Sequence, residues 1–110
     1  MLDAGRYRYG TEKLYLAVRY AATAQGDARA RLEGTFSQLH VLREEHVPPD
    51  AWQKITGVVK RLTAGEDTVQ SNTRRMKNAT AAKLLGDVWD VYEIVERAYQ
   101  ADVRGRTERT

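Results

Sequence analysis

The chain contains no cysteine, only two prolines, one phenylalanine and no long apolar run among its 110 residues. Without cysteine, disulfides and thiolate metal sites are excluded. Because no apolar stretch approaches the length needed to cross a bilayer, no membrane partner is expected. The first ten residues also lack the apolar core of a signal peptide, so the sequence favours a cytoplasmic protein.

A strong excess of one charge is also missing, because 18 lysines and arginines face 15 aspartates and glutamates, for a net charge of +3. This balance permits nucleic-acid binding without arguing for it. Hydrophobic residues make up 42% of the chain and charged residues 30%, which is typical of a folded protein. The length suits one domain, expected over residues 1–103, with a disordered polar tail at 104–110.

Apolar residues recur at helical spacing in four segments, which predicts an all-α, single-domain four-helix up-and-down bundle. Asp27 is expected to cap the second helix, Pro48 and Pro49 to separate the second from the third, and Asn78 or Thr80 to cap the fourth. The expected helices cover about 7–24, 28–44, 49–64 and 80–103. A short extra helical turn is predicted near 69–76, where Val69 and Met76 would share one face.

The fourth helix has an unusually wide apolar surface, with an arc of roughly 200° at 100° per residue. A helix at the rim of a domain needs only about half that arc. The sequence therefore predicts that the first and fourth helices form the centre of the bundle and that the second and third cover them. The arc contains Ala81, Leu84, Leu85, Val88, Trp89, Val91, Tyr92, Val95, Ala98, Tyr99 and Val103.

Signatures of catalysis and of metal binding are missing from the sequence. The two histidines, His40 and His46, do not belong to the Glu-x-x-His pairs of carboxylate-bridged iron sites. His46 lies beside two glutamates, but an exposed residue before a turn is the simpler interpretation. Neither serine has a visible histidine and acid partner, and no glycine-rich phosphate loop is present. We therefore expect a protein that is not an enzyme and that uses no cofactor.

A second apolar stripe runs along the first helix. Tyr9, Leu16 and Tyr20 follow at spacings of seven and four, on the side opposite Leu14. Tyrosine is enriched at protein interfaces because it buries a ring while its hydroxyl stays in water. Either this stripe binds a second copy or another protein, or the segment 66–77 or the tail covers it. The favoured function is a non-catalytic interaction module that forms a homodimer through the first helix.

Basic residues form the second group that stands out from a generic bundle. At the end of the third helix and before the fourth, they could converge at one end of the molecule. They are either solvated, with the first two opposing the helix dipole, or they contact an acidic partner or a phosphate backbone. A nucleic-acid-associated accessory protein is therefore the alternative function, although the proline turn does not fit a helix-turn-helix. The group consists of Lys60, Arg61, Arg74, Arg75 and Lys77.

One pattern of apolar and flanking residues resembles that of small uncharacterised bacterial proteins. The resemblance covers about residues 28–95 and implies an all-helical single domain, but no activity, cofactor or site residue. Its residues are mostly core positions, so it bears on the fold more than on the function. They are Arg31, Leu32, Phe36, Leu39, Leu42, Glu45, Pro48, Met76, Ala81, Leu84, Leu85, Val88, Trp89 and Tyr92.

Overall fold

The structure is a computed structural model that describes the backbone of residues 6–65 and 67–109 and the side chains of 6–65 and 67–105. This part of the chain is all-helical, as predicted, but it contains five α-helices rather than four, since the turn expected near 69–76 is a helix of its own. The α-helices are α1 (Arg8–Thr23), α2 (Ala28–Leu39), α3 (Pro49–Leu62), α4 (Val69–Arg75) and α5 (Asn78–Arg109), and a 3-10 turn covers Glu44–His46.

Side-chain caps fix the start of two helices. The Asp27 carboxylate accepts a hydrogen bond from the Ala30 amide (3.1 Å), as predicted, and Thr68 caps α4 in the same way. Asn78, one of the two residues expected to cap the last helix, contacts another helix. Its side-chain oxygen accepts from the Ala28 amide (3.0 Å), so it satisfies a free donor in the first turn of α2 and joins the starts of two helices.

The second helix ends at Leu39, five residues earlier than predicted. The chain then turns, and the Arg43 amide donates to Nδ1 of His46 (2.9 Å). This turn places both Leu42 and Val47 in the core, where they are 5% and 4% exposed. The burial of these two side chains gives a physical reason for the early end of the helix.

The core is formed by side chains of α1, α2, α3 and α5 together, and α2, which was expected to cover the centre, touches more helices than α1 does. Helix α2 packs against α1, α3, α4 and α5, whereas α1 packs mainly against α2 and α5. The fully buried residues of α5 follow at spacings of three and four, so they form a stripe that is narrower than the predicted arc. They are Ala81, Leu84, Val88, Val91 and Val95.

The wide apolar arc of α5 is largely covered, since ten of its eleven residues are buried or half-buried. Trp89, at one edge of that arc, is the exception and is 50% exposed. Helix α5 also continues to Arg109, where the sequence predicted a disordered tail from residue 104.

Helices α1 and α5 run antiparallel. The Arg6 amide, just before α1, donates to the Asp102 carboxylate near the end of α5 (3.1 Å). Further along the pair, the rings of Tyr15 and Tyr92 lie 6.4 Å apart, and Val18 faces the Val88 region. Among the described residues, no helix is long and apolar enough to cross a membrane.

Candidate interaction surfaces

The apolar stripe predicted on the first helix lies at the surface. Tyr9 is 41% exposed, Leu16 41% and Tyr20 43%, and we call these three residues the tyrosine face. Three large side chains that share one helix face and stay this exposed form an uncommon feature, because exposed apolar residues on monomers are usually scattered. The structure thus brings together the three residues that the sequence singled out.

Each tyrosine of this face contacts the rest of the chain through one side of its ring. The ring of Tyr9 lies 4.5 Å from that of His46, between centroids, and the Lys13 ammonium lies 5.6 Å from its centre. The ring of Tyr20 crosses Gly34 of α2 so closely that a Cβ atom there would overlap it. These contacts orient the two rings, while more than 40% of each side chain stays exposed.

The alternative expectation was that residues 66–77 or the tail would cover this face. In the described part of that segment, α4 packs against α2 and α3. The C-terminal part of α5 reaches the start of α1 at Arg6, where Asp102 accepts from its amide. The partial cover of the two tyrosines comes instead from His46 and from Gly34 of α2, and over 40% of each side chain stays exposed.

A second aromatic surface was missed by the sequence analysis, which assigned Trp89 to the core and did not single out Tyr15. Trp89 is 50% exposed and Tyr15 48%. Both contact Tyr92, with ring centroids 5.9 Å and 6.4 Å apart. We call these three residues the seam face, because they lie over the contact between α1 and α5. The excess width of the α5 arc was the signal that could have revealed it.

A shallow apolar groove of about 280 Å³ adjoins the seam face. Gly86 forms part of its floor, and a Cβ atom at this position would meet nothing within 4 Å, so the groove is open above the α5 backbone. The remaining lining is apolar and comes from both helices. It consists of Val18, Ala21, Ala22, Leu85, Val88 and Trp89.

The electrostatic setting of this surface is visible at Tyr92. Burial raises the pKa of the Tyr92 phenol above its usual value of 10.0, and the negative charge of Glu96 and the nearby Tyr15 raise it further. Glu96 is thus the acidic residue close enough to the aromatic rings to add to the effect of burial.

All five residues of the predicted basic group are exposed. The two helices that carry most of them meet, because the Asn72 side chain donates to the carbonyl of Leu62 at the end of α3 (2.8 Å). Arg75 is not free, since its guanidinium pairs with Asp67 and also donates to the Asn72 side chain. One of the five charges in the group is thus paired within the chain. The members of the group remain Lys60, Arg61, Arg74, Arg75 and Lys77.

The residues with catalytic potential do not converge on one site in the described structure. Nδ1 of His46 accepts from the Arg43 amide, so this histidine shapes the turn before α3. The ring of His40 instead stacks on Phe36, with centroids 5.1 Å apart. Within residues 6–65 and 67–105, no group of three or more histidine, aspartate or glutamate side chains is placed to hold a metal ion.

Comparison with known proteins adds no functional information. No protein-family model matches the chain, and no similar protein was found among curated sequences or solved structures. The resemblance to small bacterial helical proteins therefore stays a prediction, and the functional argument depends on the surfaces described above.

Proposed function

We propose that this protein is a cytoplasmic, non-catalytic interaction module that associates with a second copy of itself through the tyrosine face. The observation that carries the proposal is the joint exposure of Tyr9, Leu16 and Tyr20, each above 40%, on one face of α1. Tyrosine combines large apolar area with a hydroxyl that tolerates water, which suits a surface that must be soluble alone and bind when paired.

The exposed area of the tyrosine face is small, which favours modest affinity. A large aromatic side chain carries about 150–250 Å² of surface, so the exposed parts of the three residues amount to roughly 200–300 Å² per copy. Burial on both copies at about 25 cal/mol per Å² would contribute about 10–15 kcal/mol. Association costs about 4–15 kcal/mol in lost freedom, and a cost near the lower end of that range leaves a net gain of about 6–11 kcal/mol. We therefore expect dimerisation in the micromolar range.

The test is light scattering over a concentration series from about 1 to several hundred micromolar. The native chain should change from monomer to dimer, and a variant with glutamine at Tyr9, Leu16 and Tyr20 should stay monomeric. Leu16→Gln alone is the second variant, because Leu16 takes no part in the ring contacts that hold the two tyrosines. Lys54→Gln, at an exposed position on α3, is the matched control and should dimerise normally.

Circular dichroism on each variant checks that the helices are retained. A folded triple variant with the same concentration-dependent mass as the native chain would contradict the proposal. A native chain that remains monomeric over the whole range would contradict it as well.

The alternative function is a nucleic-acid-associated accessory role, favoured by the exposure of all five residues in the basic group. Binding of a labelled duplex should then weaken steeply with salt, since each phosphate contact releases counterions. Asp67→Asn should strengthen binding because it releases Arg75 from its internal pair. This role would be contradicted if the protein does not shift the labelled duplex in a gel at low salt. It would also be contradicted if the double variant Arg74→Gln/Lys77→Gln binds the duplex with unchanged affinity.

A further inference from the structure

A second surface of the molecule, the seam face, also has the properties of an interface. Its two most exposed rings, Tyr15 and Trp89, are about half exposed and come from different helices. The groove beside them is apolar and has the exposed Gly86 in its floor, so another backbone can approach closely. The charges around this surface indicate which binding partner it favours.

The two edges of the seam carry opposite charges. Arg19 lies one helical turn from Tyr15 on the α1 edge, and Glu93 lies one turn from Trp89 on the α5 edge. Neither side chain has an ion pair with another described residue, and both are exposed. Because Arg8 and Glu12 on the α1 edge neutralise each other, that edge keeps the net positive charge of Arg19, whereas Glu93, Glu96 and Arg97 give the α5 edge a net negative charge.

Such a surface is complementary to a rotated copy of itself. A two-fold axis parallel to the helices would place α1 of one copy over α5 of the other, antiparallel and at the same height, because α1 and α5 are antiparallel within each chain. Positive edges would then face negative edges twice. An axis perpendicular to the helices would instead oppose α1 to α1 and α5 to α5, and it would bring like charges together.

The register of the charged residues fits the first arrangement. Since Tyr15 is level with Tyr92, Arg19 and Glu93 differ in height by about five residues, or about 7.5 Å along the axis. Two long side chains can span this distance when the helices lie against each other. Each Trp89 would meanwhile lie near the second copy's Tyr15, in an aromatic core surrounded by charge.

We propose that the seam face is a second self-association surface, on which a second copy of this chain docks with its α1 against α5 of the first. This inference does not depend on the tyrosine face. If both surfaces operate, each of them two-fold symmetric, the dimer formed by one would pair through the other into a tetramer or larger assembly.

The first test uses the fluorescence of Trp89. The chain has two tryptophans, so Trp52→Phe leaves Trp89 as the only one. Its emission should move to shorter wavelength as concentration rises, because docking removes the exposed half of the indole from water. The same shift should persist in the triple variant of the tyrosine face. An emission maximum that does not depend on concentration would overturn the inference.

The second test is a charge exchange followed by sedimentation equilibrium at low salt. Arg19→Glu and Glu93→Arg should each weaken association by about tenfold, since each creates two like-charge contacts in a symmetric pair. The double variant should restore affinity to within about threefold of the native chain. Failure of that rescue, with both single variants weakened, would overturn the proposed pairing of α1 with α5.

These tests separate the two surfaces. If the dimer mass is lost only in the tyrosine-face variant and the Trp89 emission stays constant, the proposed function is supported and this inference is overturned. If the dimer mass changes only in the charge-exchange variants, this inference is supported and the proposed function is overturned.

Discussion

The close approach of α1 to the turn before α3 can be tested by Gly10→Ala. A Cβ atom at Gly10 would overlap the carbonyl oxygen of His46 and lie 3.1 Å from a Val47 methyl group. The overlapped atom belongs to the backbone, so the turn itself must move. Insertion of one carbon into a packed contact typically costs 1–3 kcal/mol, and the better helix propensity of alanine recovers up to about 1 kcal/mol. We therefore expect Gly10→Ala to lower the free energy of unfolding by about 1–2 kcal/mol.

Gly57→Ala is the matched control, because it makes the same change within a helix where a Cβ atom meets nothing within 4 Å. It should raise the free energy of unfolding by about 0.5–1 kcal/mol. Denaturant unfolding measures both variants, and in thermal unfolding 1 kcal/mol corresponds to about 4 °C or more for a domain of this size. Equal stabilisation by the two substitutions would refute the close contact at Gly10.

Three further predictions follow from hydrogen bonds and charge. Asn72→Ala should lower the free energy of unfolding by about 1–2 kcal/mol, because the Leu62 carbonyl loses its donor; unchanged denaturant unfolding would contradict this. The Ala30 amide and Arg29 lower the pKa of Asp27 below 3.8, so the stability that Asp27 contributes is present above that range and lost as pH falls through the lowered pKa. The melting difference between the native chain and Asp27→Ala should accordingly shrink in acid, and a pH-independent difference would count against the cap. Burial raises the pKa of Tyr92, so the contribution of its neutral phenol to folding stability is present below pH 10 and is lost as pH rises through the raised pKa. In a pH titration followed by ultraviolet absorbance, Tyr92→Phe should remove a component that titrates above pH 10.

Local signals in the sequence predicted most of the helices. Asp27 caps its helix as expected, and Val69 and Met76, at the first residue of the predicted short helix and just after its last, are both partly buried. The end of α2 could not be predicted in this way, because Leu42 continues the helical pattern and still enters the core from a turn. Tertiary packing decided that boundary, as it often does where periodicity alone allows more than one end.

The arrangement of the helices depends on contacts between distant segments. Gly34 gave no sequence signal, yet it admits the ring of Tyr20 and allows α1 to lie against α2. The tyrosine face was predictable because its three residues are neighbours on one helix. The seam face was not, since Tyr15 and Trp89 come from segments far apart in the sequence and meet only through the antiparallel pairing of α1 and α5.

The solution mass of the native chain tests the central claim most directly. Light scattering at concentrations up to several hundred micromolar, at low and at high salt, should give at least twice the 12.5 kDa of one chain. Association through the apolar tyrosine face should survive high salt, since burial of apolar surface is not screened. A mass of one chain at every concentration and in both salts would contradict the assignment of this protein as a self-associating module.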